Sequence, residues 1–267
     1  MADRGEQVAP VSALSIDIQR KVYGSSEAGR LAIAGLKFEL REGELVCVLG
    51  PSGAGKTTTL NIIAGLDSAF EGEVRVSDTK PHRLSYVFQE PRLLPWRTMI
   101  ENVALPLKGR PDATSAAASW LDRVGLNGCH DLYPGQASAG MQRRAAIARA
   151  FAFDPTILLM DEPFVSLDEK SASELRNLFA ALWKAERVTT LFVTHDLAEA
   201  AALATRVLIY TASPATISAD IAMPGERCGG SVQEAEQMLR LALRHAATPT
   251  PAVSGRNNFE PGPLGIG

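Results

Sequence analysis

The stretch from Leu45 to Thr58, LVCVLGPSGAGKTT, decides the reading of this chain. Its first five residues are apolar without a break, and so short a run reads as a strand covered on both faces, as in a parallel sheet. The next eight, Gly50-Pro51-Ser52-Gly53-Ala54-Gly55-Lys56-Thr57, satisfy G-x-x-x-x-G-K-[ST] at every fixed position. Residues 56–64 then read as a helix. Strand, glycine loop and helix in that order are what a polyphosphate requires. Several backbone N–H groups must point inward, and glycine permits that curvature. The helix turns its positive end to the anion. Lys56 offers a mobile cation to the β- and γ-phosphates, and Thr57 a hydroxyl to Mg²⁺. A nucleoside triphosphate with Mg²⁺ is the expected ligand.

Outward from this stretch, the same kind of buried run recurs at residues 156–160 (TILLM), 189–193 (TTLFV) and 207–210 (VLIY). Helical patterns lie between them, at 141–153, 170–186 and 197–204; the second carries Leu175, Leu178, Phe179 and Leu182 at helical spacing. Alternating strands and helices predict an α/β layered fold with a mostly parallel core sheet. Upstream, Leu14, Ile16 and Ile18 alternate with polar residues, and Leu36, Phe38 and Leu40 do so again beyond a glycine-containing stretch at 24–35. These predict an additional antiparallel β layer. Residues 91–139 hold no buried-strand run and predict a helical subdomain, about 91–150, with one helix at 113–124 turning Trp120, Leu121 and Val124 inward.

The expected organisation is a loose leader over 1–12, a nucleotide-binding domain over 13–215, and an extension over 216–267. The extension opens turn-rich. A short amphipathic helix follows at 232–246, with Val232, Ala235, Leu239 and Leu243 on one side, and a Pro/Gly-rich end predicts disorder.

Composition narrows the class. Of 267 residues 46% are hydrophobic and 21% charged, ordinary for a globular protein and unlike a disordered or collagenous chain. The net charge of −3 argues against a polycation that coats nucleic acid. Cys47, Cys129 and Cys228 are odd in number and share no close spacing, so they read as small packing residues in a reducing compartment. No apolar run is long enough to predict a bilayer span. The first residues carry Asp3, Arg4 and Glu6 and lack the apolar core of a signal peptide.

Asp161-Glu162 ends the second buried run. In an open parallel sheet, ligands bind beyond the carboxyl ends of the strands. An Asp there reaches Mg²⁺. An adjacent Glu, pointing differently, can accept a proton from an attacking water. His195 follows the third run, 33 residues after Glu162, and can bond a γ-phosphate or a water; a packing or capping histidine is the alternative. Gln89, after Tyr86-Val87-Phe88, can ligate a metal and position water.

Taken together, the ordered motifs resemble the ATP-binding subunits of ABC transporters over about residues 13–215. They are GPSGAGKTT (50–58), YVFQEPRLLPW (86–96), YPGQASAGMQRRAAIARA (133–150), ILLMDEPF (157–164), Ser166-Leu167-Asp168 and VTHD (193–196). The resemblance implies roles. Tyr23, 27 residues before Gly50, would stack on adenine. Gly50, Pro51, Ser52, Gly53, Ala54, Gly55, Lys56, Thr57 and Thr58 would hold the phosphates. Thr57, Gln89 and Asp161 would serve Mg²⁺. Glu162 would be the general base, with Gln89 and His195 completing the catalytic set. Ser138, Ala139 and Gly140 would close over ATP bound to a second copy, and Asp168 would reach that copy's phosphate loop. The implied partners are therefore a homodimer around two ATP, integral-membrane permease subunits and, indirectly, an extracytoplasmic solute-binding protein, with no nucleic acid. The implied place is the cytoplasmic face of the cell membrane.

One departure bears on rate. The family pattern is L-S-G-G-[QM], whereas this chain reads Ala137-Ser138-Ala139-Gly140-Met141. Alanine fits position 139 if φ is negative there and costs about 1 kcal/mol if it is positive. A degenerate regulatory subunit is the alternative that this residue raises; intact Lys56, Asp161, Glu162 and His195 speak against it. A soluble ATPase acting on DNA or ribosomes is another, against which stand a single cassette, no long heptads and an acidic balance. Residues 89–103 (QEPRLLPWRTMIENV) resemble importer ATPases for nitrate, sulfonates and taurine. There Pro91, Leu93, Leu94, Pro95 and Trp96 would form an apolar groove for a permease helix, or else fill the subdomain's own core.

Overall fold

The computed structural model describes residues 12–24, 29–77, 82–224 and 231–247. Nine strands are described: β1 (Ser12–Tyr23), β2 (Arg30–Arg41), β3 (Leu45–Leu49), β4 (Glu71–Val76), β5 (Leu84–Val87), β6 (Ile157–Asp161), β7 (Thr189–Thr194), β8 (Arg206–Tyr210) and β9 (Ile217–Ala222). The helices are α1 (Lys56–Ile63), α2 (Met99–Ala104), α3 (Ala113–Arg123), α4 (Ala139–Ala152), α5 (Glu169–Glu186), α6 (Leu197–Leu203) and α7 (Val232–Ala247).

The main sheet has the order β5-β6-β7-β3-β8-β9, parallel except for β9 against β8. A smaller antiparallel sheet has the order β2-β1-β4. The predicted α/β architecture, parallel core plus antiparallel layer, is what the chain forms.

Every residue of β3, β6 and β7 is buried, and the two-residue period divides them between two cores. Val46, Val48, Leu159, Leu191, Val193 and Leu208 point toward α1 and the small sheet, where Leu14, Ile16, Ile18, Leu36 and Leu40 meet them. Leu45, Cys47, Leu158, Met160, Phe192 and Val207 point the other way, into a core completed by the helices. Burying each such aliphatic side chain stabilises by roughly 1.5–3 kcal/mol. A one-residue slip of any central strand would exchange its two faces, so register is strongly specified.

The helical region forms as its pattern predicts. Leu121 and Val124 are fully buried, whereas Trp120 is only partly so: it stacks on Phe151 at 5.6 Å and carries the Arg123 guanidinium 3.8 Å from its ring. Asn102, fully buried on α2, ties down the preceding loop. Its Nδ2 donates to the carbonyls of Leu94, Arg97 and Thr98, and its Oδ1 accepts from the Leu94 amide at 2.7 Å.

Four expectations shift. Strand β2 starts at Arg30, inside the stretch expected to separate the first two strands, because Ile33 pairs with β1 and packs into the core. Strands β4 and β5 were not expected; β4 is half-exposed and lacks an apolar period, and β5 has only four residues. The region beyond 211 was expected to be turns, yet β9 extends the main sheet, so the sheet continues past residue 215. In α7, Ala235 and Leu239 are buried against α6 and β9 as predicted, but Val232 is exposed at the helix start. The expected leader over 1–12 gives up Ser12 to β1; its residues 1–11, the tail over 248–267 and Cys228 lie outside the described residues. Among the described residues, no helix is long and apolar enough to cross a membrane.

Candidate functional site

The loop between β3 and α1 is built by close approach. Gly55 has φ +78, and a Cβ there would stand 3.0 Å from the Ala215 Cβ and 3.2 Å from the Ala32 carbonyl oxygen. A Cβ on Gly50 would meet the Tyr210 carbonyl oxygen at 3.1 Å. The loop is therefore wedged against β8 and the connection after it, which itself joins the small sheet through Ile33 and Ala215. Within the loop, the Ala54 amide donates to the Pro51 carbonyl at 3.2 Å.

Lys56 opens α1 and is almost fully buried. Its ammonium donates to the carbonyls of Gly50 at 2.8 Å and Pro51 at 2.9 Å. Burial lowers its pKa, opposed by the nearby carboxylates of Glu162 and Asp161. Beside it, the Thr57 hydroxyl donates to Asp161 Oδ1 at 3.1 Å. Asp161 is the last residue of β6 and 5% exposed. Burial raises its pKa, and the Thr57 hydrogen bond works in the opposite direction. A buried carboxylate beside a hydroxyl is a pair of hard oxygen donors.

Glu162 Oε1 lies 4.0 Å from Lys56 Nζ and 3.3 Å from His195 Nδ1. Its backbone takes φ +44, a left-handed conformation uncommon for a side-chain-bearing residue and concentrated at functional sites. The Glu162 amide donates to the Val193 carbonyl on β7 at 2.9 Å, which holds this turn to the strand that presents His195. Behind His195, Thr194 Oγ1 donates to Glu199 Oε2 at 2.5 Å, and Asp196 caps α6 by accepting from the amides of Ala198 and Glu199. Burial pushes the Glu199 carboxyl up; the Thr194 bond opposes this, while the Asp196 charge adds to it.

Tyr23, Ser52, Gly53, Gly55, Lys56, Thr57, Thr58, Gln89 and Glu162 line one cleft of about 350 Å³. The Tyr23 ring is 44% exposed, its hydroxyl 3.3 Å from Thr58 Oγ1 and 3.2 Å from Asp67 Oδ2. Lys21 Nζ lies 4.6 Å from its centroid. Thr57, Gln89 and Asp161 also share a second cleft of about 480 Å³. Thr57 and Gln89 are thus common to both.

The remaining candidates are elsewhere. Ser138 caps α4, accepting from the Met141 amide at 3.2 Å, and is exposed. Asp168 caps α5, accepting from the Ser171 amide at 3.0 Å, and is exposed. Neither these two nor Ala139 and Gly140 line the two clefts. Ala139 is the first residue of α4 and is absent from the left-handed region, so alanine fits without strain. A Cβ on Gly140 would find no neighbour closer than Ser138 Oγ at 4.0 Å.

Several residues at the site carried no signal as isolated letters. Asn61 and Tyr86 line the second cleft, their side chains joined at 3.3 Å, and Arg143 lines it too. Arg143 Nη1 donates to the carbonyls of Gln89 at 3.0 Å and Pro163 at 2.9 Å. The pattern of the sequence marks α4 as a helix but not which carbonyls its arginines seek. The residues expected to line an apolar groove differ in exposure. Leu93 packs against the helical core, whereas Pro95 is exposed and Trp96 is 71% exposed.

A lysine-bearing phosphate loop facing an acid pair and a histidine at the carboxyl ends of adjacent parallel strands defines a nucleoside-triphosphate-binding domain. Comparison with known proteins narrows the class. The family model described as ABC transporter matches residues 33–165. The aliphatic sulfonates import ATP-binding protein SsuB of Bacillus cereus is 40% identical over 209 residues, covering 76% of this chain and 83% of that relative. An ABC transporter ATP-binding protein of Methanocaldococcus jannaschii is 43% identical over 222 residues, covering 80% and 83%. Among solved structures, the ATP-binding cassette MJ0796, dimeric in a post-hydrolysis state bound to ADP and Pi, aligns with a TM-score of 0.70 at 31% identity, covering 79% of this chain and 99% of that one. The chain belongs to the ATP-binding proteins of ABC transporters.

Proposed function

We propose that this chain hydrolyses ATP to drive import of a small anion of the sulfonate class. The observation that carries the chemistry is the convergence of Lys56, Thr57, Asp161, Glu162 and His195 at one end of the main sheet. The cargo rests on the relatives, several of which are named as aliphatic sulfonates import proteins.

In this reading Tyr23 stacks on adenine and the loop from Gly50 to Thr58 holds the phosphates. Thr57, Asp161 and Gln89 hold Mg²⁺. The fit is chemical: Mg²⁺ is taken up by one or two carboxylates together with substrate phosphates, and hard oxygen donors suit it. When bound, the ion neutralises charge on the phosphates. Glu162 accepts the proton of a water whose oxygen bonds to the γ-phosphorus. The bond from that phosphorus to the β,γ-bridging oxygen breaks, giving ADP and phosphate. His195 contacts the γ-phosphate and steadies Glu162, whose Oε1 it approaches to 3.3 Å.

Two copies act together. Ser138, Ala139 and Gly140 of one close over ATP held by the other, and Asp168 reaches across. The exposure of Ser138 and Asp168 supports this. ATP then favours the closed pair because it contacts both copies there and only one in the open state. The dimer sits on the cytoplasmic face of the membrane beneath two permease subunits, which receive solute from an extracytoplasmic binding protein. The test is phosphate release by the purified chain with Mg-ATP, alone and with the permease. Equal rates for wild type and Glu162→Gln would end the assignment.

A further inference from the structure

Helix α4 holds five separate segments by the polar side chains of its first three turns. Gln142 Nε2 donates to the carbonyls of Pro134 and Ala137, just before the Ser138 cap. Arg144 donates to the Val124 carbonyl and pairs with Glu174. Arg149 donates to the carbonyls of Pro91 and Arg92, both at 2.8 Å. Arg143 is the most buried of these arginines, 9% exposed, and one of its nitrogens bonds two carbonyls at once, those of Gln89 and Pro163.

Those two carbonyls belong to different halves of the site. Gln89 follows β5, and Pro163 follows the acid pair at the end of β6. The ladder between β5 and β6 ends at Val87 and Met160, and beyond it the guanidinium bonds both segments. The arginine lines the cleft that Thr57, Gln89 and Asp161 share. Without it, two inward carbonyls would lose a charged donor, which costs more than a neutral hydrogen bond. The backbone of Gln89 would then be free to drift from Asp161. Arg149 holds Pro91 and Arg92 but does not touch the acid-pair side, so it fixes the segment to α4 without fixing it to Asp161.

We infer that Arg143 is a positioning residue: by bridging the Gln89 and Pro163 carbonyls it sets the Gln89 side chain over the Thr57–Asp161 pair, so that the metal site and the Ser138 cap are carried by one helix. The inference rests on the reading of Gln89 as a metal contact. Arg143 itself touches neither nucleotide nor metal.

The experiment uses the full chain in a Glu162→Gln background, so that ATP is retained, with Mn²⁺ as the probe. Affinity of the ATP-loaded protein for Mn²⁺ is read by electron paramagnetic resonance, and nucleotide binding in EDTA by a fluorescent ATP analogue. Arg143→Met weakens Mn²⁺ binding about tenfold or more, the range for loss of a group that orients a metal ligand. It leaves metal-free nucleotide binding within about twofold. Arg143→Lys, which keeps a charged donor, restores most of the loss. Hydrogen exchange rises at residues 89–92 and 163–165 and not in α1. Arg149→Met raises exchange at 91–92 only and leaves Mn²⁺ affinity alone. Should Arg143→Met fold poorly, Arg143→Gln is read in the same assays. Unchanged Mn²⁺ affinity in folded Arg143→Met or Arg143→Gln overturns the inference, as does equal loss of metal-dependent and metal-free binding. Gln89→Ala separates the two levels: if it too leaves Mn²⁺ affinity unchanged, the metal role of Gln89 falls; if it alone weakens binding, only the Arg143 bridge falls.

Discussion

The phosphate-loop end and the Ser138 end of this molecule are built to different degrees of completion. At the first, residues from β1, the Gly50–Thr58 loop, the end of β6 and the end of β7 meet within hydrogen-bonding reach, and Lys56 and Asp161 are buried. At the second, Ser138 caps a helix and faces solvent, and so does Asp168, which follows closely on Ser166 of the second cleft. Side chains brought together by the chain's own core are held by burial. Side chains left exposed on rigid helix starts are suited to a surface that arrives later. The contrast is what a half-site predicts, and it can be broken from either end.

The largest effect is expected at the buried end. Glu162→Gln keeps the shape of the pocket and removes the base, so kcat falls by about 10²–10⁴ while ATP binding persists; single-turnover phosphate release against equilibrium nucleotide binding separates the two. Lys56→Ala removes a charged donor and leaves the Gly50 and Pro51 carbonyls without it. ATP affinity drops roughly a hundredfold, or about 3 kcal/mol, measurable by titration calorimetry. Preserved affinity would mean that the loop, not the lysine, binds the phosphates.

At the exposed end the effects are smaller and of another kind. Ser138→Ala loses a helix cap and about 1 kcal/mol of stability. Binding of ATP to one copy stays unchanged, but ATP-driven pairing in the Glu162→Gln background is lost, as sedimentation would show. If pairing survives, the complementarity between the two ends is wrong. Ala139→Gly restores the family's usual glycine. Because residue 139 is helical and exposed, this change lowers stability by less than about 1 kcal/mol, and a thermal melt will detect it. An increase in ATPase rate would show that the methyl crowds the nucleotide.

Glu199 lies between these extremes. Its folded pKa is raised, so the folded state holds a proton that the unfolded state gives up, and stability falls as pH climbs from the ordinary glutamate range through the raised value. Asp196, Arg176, His195 and Arg143 are the titratable and charged groups that act on it. Glu199→Gln keeps an acceptor for Thr194 and removes the buried charge. Its melting temperature should vary less with pH across that window than the wild type's. An unchanged profile would assign the pH dependence to another carboxyl.

Much of this was legible beforehand because it rests on short-range pattern. A five-residue apolar run can only be a covered strand if the next residues bend away, and Gly50 to Thr57 do. The same logic located Asp161 and His195, since both directly follow such runs. The pattern failed where a strand is half-exposed, as at β4, or lies among turn residues, as at β9, because there pairing rather than periodicity makes the strand. Trp96 shows a third limit: an apolar residue in an apolar run can still face outward when Asn102 fixes the loop by its backbone.

The sequence by itself therefore determined the strand-loop-helix that holds phosphate, the order of the motifs and the α/β class. All of these are properties of neighbouring residues. Only the tertiary structure decided that Ala139 starts a helix without strain, that the connection after β8 wedges against Gly55, and that one guanidinium on α4 joins Gln89 to Pro163. These depend on groups far apart in the chain, whose distances are set by packing and leave no trace in local order.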